Sequence, residues 1–173
     1  MLWISLSVAV VLAVLIAVLA SSNPAGQGVS SPLVGKPAPP ISGQALGGTG
    51  QVSLAQFKGQ WVLVNFAASW CVPCRQEMPQ LQTFAQNGAS QGDATILTVP
   101  YDEGDVSNLA AYLDSQHVTW PKVDDGSAVV SYGVNGIPES YLVDPAGTVV
   151  AKYVGGIKAA QVDQFIARAG SGQ

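Results

Sequence analysis

Two residues in this chain can exchange electrons with a disulfide unaided. They are Cys71 and Cys74, its only cysteines, and they stand three apart in Trp70-Cys71-Val72-Pro73-Cys74. If a helix begins there, its unpaired N–H groups and dipole favour negative charge, so the first cysteine ionises readily. Thiolate is the species that attacks disulfides, and a second cysteine one turn on is within bonding range. That second thiol can resolve a mixed disulfide with a substrate. Rival chemistries lack their parts. A structural zinc site takes four Cys or His ligands, and His117 is the only histidine. Attachment of c-type haem takes a His directly after the second Cys, where Arg75 stands. As a mere staple, so short a loop gains only about 2 kcal/mol. The pair is therefore expected to work by redox exchange, with no metal or organic cofactor.

The flanking pattern supplies a strand and a helix to hold the pair. Residues 61–66, Trp-Val-Leu-Val-Asn-Phe, form a near-continuous apolar run, as in a strand buried on both faces. Residues 72–87 follow with Met78, Leu81, Phe84 and Ala85 at helical spacing, and Gly88 reads as a stop signal. A second buried strand is predicted over 94–99 and a helix over 105–116. Strands over 140–143 and 148–154 join at a tight turn, and a last helix covers 161–169. Residues 43–50 suggest a turn between two weak strands, and Asp124 and Asp125 before Gly126 read as turn formers. This order predicts an α/β fold with a mixed central sheet flanked by helices.

The first twenty residues differ from the rest. Residues 2–20 carry no charge and 8–20 are wholly apolar. As a helix, 19 residues span about 28 Å, close to the thickness of a bilayer core. The apolar stretch exceeds a signal-peptide core and no Lys or Arg precedes it, so residues 1–21 are expected to be a retained membrane anchor rather than a cleaved leader. Residues 22–33, rich in Ser and Gly, read as a flexible linker, and residues 34–173 as the domain. Such export places the thiols where disulfides persist, with the domain periplasmic or extracellular. The net charge of −4 argues against nucleic-acid binding.

Residues 64–79, Val-Asn-Phe-Ala-Ala-Ser-Trp-Cys-Val-Pro-Cys-Arg-Gln-Glu-Met-Pro, resemble the active-site segment of the TlpA-like thioredoxins. These are membrane-anchored thiol–disulfide oxidoreductases, among them the ResA and CcmG/DsbE reductases of cytochrome c maturation. The likeness runs from about residue 34 to 169 and implies a thioredoxin-like fold. It implies Cys71 as exposed nucleophile and Cys74 as buried resolving thiol, with apocytochrome c thiols as a substrate and a membrane or soluble thiol donor for recharging. It implies that the Ile137–Pro138 bond is cis and that Ile137 offers its backbone to a substrate peptide, with Pro138 beside it. Ile137 at that place leans toward reduction; a disulfide-introducing oxidase and a peroxiredoxin-type peroxidase are the alternatives. Trp70 is expected as a partner-contact surface, and Pro73, Pro79 and Asn65 as structural support. Pro79 would kink the helix. Asn65 stands where cytosolic thioredoxins carry a buried aspartate. Glu77, on the helix face of Cys74, is the expected substitute: a buried carboxylate that moves a proton for that thiol.

Overall fold

The computed structural model describes residues 11–12, 29–91 and 93–170. All of the expected anchor except residues 11–12, and residues 22–28 of the linker, lie outside the described residues, among which no helix is long and apolar enough to cross a membrane. Two short strands open the domain, β1 (Ser42–Ala45) and β2 (Gln51–Ser53), and a 3-10 turn follows over Leu54–Phe57. Next come β3 (Trp61–Ala67), α1 (Val72–Gln91), β4 (Ala94–Pro100) and α2 (Val106–Ser115). The chain closes with β5 (Val123–Asp124), α3 (Gly126–Ser131), β6 (Glu139–Val143), β7 (Val149–Val154) and α4 (Ala159–Gly170).

The main sheet runs β4-β3-β6-β7, and a smaller antiparallel sheet runs β2-β1-β5. β3 pairs parallel with β4 and antiparallel with β6, while β6 pairs antiparallel with β7. A parallel bridge from Thr98 to Lys122 joins the two sheets. Side chains alternate along a strand, and both faces of β3 are covered. Leu63 packs with Met78, Leu81 and Phe84 of α1. Val62, Val64 and Phe66 pack on the opposite face with Tyr132 and Tyr141. Each such fully buried side chain contributes about 1.5–3 kcal/mol, which explains the unbroken apolar run. Asn65 shares the Leu63 face by alternation, so one amide is aimed into the α1 side of the core. The three aromatic rings meet edge-on or tilted at centroid distances of 5.1 to 6.1 Å, a geometry that ring quadrupoles favour.

Three expectations are corrected. Gly88 does not stop the helix, since α1 continues to Gln91. A Cβ at Gly88 would lie 2.5 Å from the Ala94 carbonyl oxygen, so glycine here permits close approach of α1 to β4. Asp125 does more than form a turn: its carboxylate accepts from the Ser127 N–H and caps α3, a helix the pattern did not reveal. Pro79 lies inside α1 as expected, and the helix runs on past it. The last helix starts at Ala159 rather than 161.

Candidate active site

The end of β3 and the start of α1 set the geometry. A turn over residues 68–71 closes with the Cys71 N–H donating to the Ala68 carbonyl at 3.2 Å. Cys71 then stands immediately before α1. The sulfurs of Cys71 and Cys74 are bonded, with Cα atoms 5.3 Å apart. The Cys74 backbone N–H donates to Cys71 Sγ at 3.1 Å. This is the contact expected of a helix-start cysteine, and the same geometry in the reduced form favours negative charge on that sulfur. In the disulfide form both cysteines are equally buried, each 3% exposed. The expected asymmetry between an exposed and a buried thiol is therefore absent in this oxidation state, in which Cys71 is part of the cluster of Ala67, Ala68 and Cys74.

The rim is apolar. Trp70 is 55% exposed, and its indole N–H reaches the Asp102 carbonyl at 3.4 Å. Val72 and Pro73 are exposed in the first turn of α1. Ile137 packs against the cysteine cluster, and the Ile137–Pro138 bond is cis. The 137–138 loop thus lies against the disulfide, although Ile137 stands sixty-six positions after Cys71 in the chain.

Beneath the pair lies a polar triad that β3, α1 and β6 bring together. Glu77 is 5% exposed. Its Oε1 accepts the Ile157 N–H at 2.8 Å, and its Oε2 accepts the Asn65 amide at 3.4 Å. The same amide nitrogen donates to Ser140 Oγ at 3.0 Å, a contact fixed by the cross-strand pairing of Asn65 with Ser140. Desolvation pushes the Glu77 carboxyl up to about 7, and the Ile157 and Asn65 hydrogen bonds offset only part of that rise. A cavity of about 290 Å³, lined by Pro73, Gln76, Gln80 and the 155–158 loop, opens beside it. Gly156 holds φ at +104° against the Glu77 side chain, a conformation that favours glycine. A carboxyl that titrates near neutrality, one turn from Cys74 and next to an open cavity, can take a proton from that thiol and pass it to solvent.

Three features escaped the sequence reading. Ser140 is one, and only strand register identifies it. The ion pair of Glu139 with Lys152, at 3.0 Å, is another; the third is a grip on Ser69 by Glu103. Glu139 directly follows Pro138, so the acid was visible but its cation was not. Exposed His117 sits at the end of α2 with φ +56°, away from these groups. Among the described residues, no group of Cys, His, Asp and Glu is arranged to hold a metal ion.

Residues 34–152 match the AhpC/TSA family. The chain belongs to that family. Among its relatives, the thiol:disulfide interchange protein CycY of Rhizobium leguminosarum bv. viciae is 39% identical over 105 residues, 58% of this chain and 53% of that protein. The thiol:disulfide interchange protein DsbE of Pseudomonas fluorescens biotype C is 30% identical over 128 residues, 72% of this chain and 68% of that one. The crystal structure of the thioredoxin domain of a thiol–disulfide oxidoreductase from Bacteroides vulgatus superposes with a TM-score of 0.69 at 32% identity. That match covers 78% of this chain and 99% of the other. The AhpC/TSA member described here has a thioredoxin-like fold and is a thiol–disulfide oxidoreductase of the DsbE and CycY type.

Proposed function

We propose that this protein is a reductase of protein disulfides outside the cytoplasm, held to a membrane by residues 1–21 and tethered through 22–33 to the catalytic domain. The observation that carries the reading is the Cys74 N–H on Cys71 Sγ at 3.1 Å, at the start of a helix. In the reduced enzyme that contact stabilises the Cys71 thiolate, which attacks one sulfur of a substrate disulfide. A mixed disulfide forms and the other substrate sulfur leaves as thiolate, taking a proton from solvent. The Cys74 thiol gives its proton to the Glu77 carboxylate and attacks Cys71 Sγ. The second substrate sulfur leaves, the Cys71–Cys74 disulfide forms, and two electrons have passed to the substrate. A membrane or soluble thiol donor restores the dithiol, and no metal or organic cofactor takes part.

Trp70, Ile137 and Pro138 form the substrate surface, and the Ile137 backbone pairs with an extended client segment. Pro73, Pro79 and Asn65 support the helix start and its base. Likeness to CycY and DsbE, together with the TlpA-like motif, favours the CxxCH thiols of apocytochrome c as clients. Cys71→Ser is expected to abolish turnover, and Cys74→Ser to trap mixed disulfides in cells. Recovery of haem-binding CxxCH proteins supports the cytochrome role, while a broad set of exported proteins points to a general reductase. The reduction potential decides direction: about −270 mV fits a reductant, and about −120 mV an oxidase.

A further inference from the structure

The loop from β4 to α2 reaches back under the turn that carries the nucleophile. Glu103 places both carboxylate oxygens on one residue of that turn: Oε2 accepts the Ser69 N–H at 2.7 Å, and Oε1 accepts the Ser69 hydroxyl at 2.7 Å. The Ser69 carbonyl accepts twice from Arg75, from Nε at 3.1 Å and from Nη2 at 2.7 Å. Arg75 in turn lies over the Tyr112 ring of α2, 5.1 Å from its centroid. The N–H, hydroxyl and carbonyl of Ser69 are thus all held, by one acid and one base that come from different elements. Asp102, next to Glu103, accepts the Trp70 indole N–H through its carbonyl and adopts φ +45°. A left-handed backbone at a non-glycine residue persists where its surroundings over-determine it.

Ser69 and Trp70 are the two central residues of the turn that the Cys71 N–H closes on Ala68. Holding Ser69 therefore fixes the direction in which Cys71 leaves the turn, and with it the placement of Sγ on the Cys74 N–H. We propose that Glu103 is a positioning residue for the exchange reaction: its two-oxygen grip on Ser69 holds the 68–71 turn so that Cys71 Sγ stays on the Cys74 N–H. The inference rests on Cys71 being the attacking thiol. It predicts the opposite of a simple charge effect, because a nearby carboxylate taken alone would disfavour a thiolate.

The test is the pH profile of iodoacetamide alkylation of Cys71 in the reduced full-length protein, with circular dichroism as a check on folding. Glu103→Ala is expected to move the half-reaction pH upward by about one unit, in keeping with loss of the two hydrogen bonds that hold the turn. Glu103→Gln, which can still bond both Ser69 groups, is expected to restore the wild-type profile. An unmoved or downward-shifted profile for Glu103→Ala overturns the proposal, the downward case assigning Glu103 a purely electrostatic part. If Glu103→Ala does not fold, Glu103→Asp takes its place with the same outcomes, since it is one methylene too short to span both atoms. The readout needs no substrate, so it remains distinct from failure of the proposed reductase role, which turnover by Cys71→Ser would reveal.

Discussion

Glu77 and Glu139 are buried to the same degree, 5% exposed each, yet the fold treats them differently. They lie on opposite faces of the main sheet. Glu77 is among the side chains under α1, where its partners are an amide and a backbone N–H, both neutral. Glu139 faces the Tyr141 side, where the Lys152 ammonium stands 3.0 Å away and the Tyr141 hydroxyl donates at 3.4 Å. Desolvation lowers the proton affinity of Lys152, but its contacts with Tyr141 and Glu139 outweigh this and hold it above its ordinary value. Burial sets the cost of a charge, and the partner decides whether the charge is kept. One acid becomes a group that titrates near neutrality; the other becomes half of a fixed ion pair behind the cis-proline loop.

The largest effect is expected where that pairing is broken. Lys152→Met leaves Glu139 buried without its cation and should cost about 3–5 kcal/mol in urea unfolding at pH 7, with most of it regained on adding Glu139→Gln. A loss below about 1 kcal/mol would erase the distinction between the two acids. Next comes the pH dependence of stability. Between 4.5, the ordinary value, and about 7, the folded state keeps the Glu77 proton while the unfolded state releases it. Stability contributed at this site is therefore full below 4.5 and falls as pH rises toward 7, by about 3 kcal/mol. Glu77→Gln lacks this slope, so its unfolding midpoint should gain on wild type between pH 5 and 8. A constant gap would mean that Glu77 does not carry the raised value.

The same variant should slow turnover about 100-fold, which corresponds to about 2.7 kcal/mol, and flatten the rate profile around pH 7. A profile unchanged in shape would take Glu77 out of the proton path. The smallest effect belongs to Ser140→Ala, which removes a neutral partner of Asn65. A loss of about 1 kcal/mol is expected, with the pH dependence intact. Disappearance of that dependence would show that Ser140, and not burial alone, sets the behaviour of Glu77.

The parts of this site that lie close together in the chain were legible before folding was considered. Cys71, Cys74 and Glu77 share one helix start, so spacing and helical period place them together. The β3 run betrayed burial on both faces because apolar residues occupied consecutive positions. What sequence concealed was contact across distance. Ser140 meets Asn65 only through β3–β6 register, Glu103 meets Ser69 across a loop, and Lys152 finds Glu139 across a hairpin. Gly88 misled for a related reason, since a helix-ending glycine and a glycine that admits a neighbouring carbonyl look the same in one dimension. α3 was hidden because six residues give too little periodicity, and its capping Asp125 resembles a turn residue.

The residues just ahead of β1 run along the outer margin of β7. Val29 donates to the Lys152 carbonyl, Gly35 to that of Val149, and Val149 to that of Lys36. At the far margin, the Thr98 N–H of β4 donates to the Pro121 carbonyl, and Thr98 bridges to Lys122. Each rim of the main sheet is thus covered in part by the protein's own backbone. An open strand margin would otherwise offer a passing extended chain a strand to grow on and would risk aggregation. Here an incoming chain meets margins that the protein's own backbone already pairs in part.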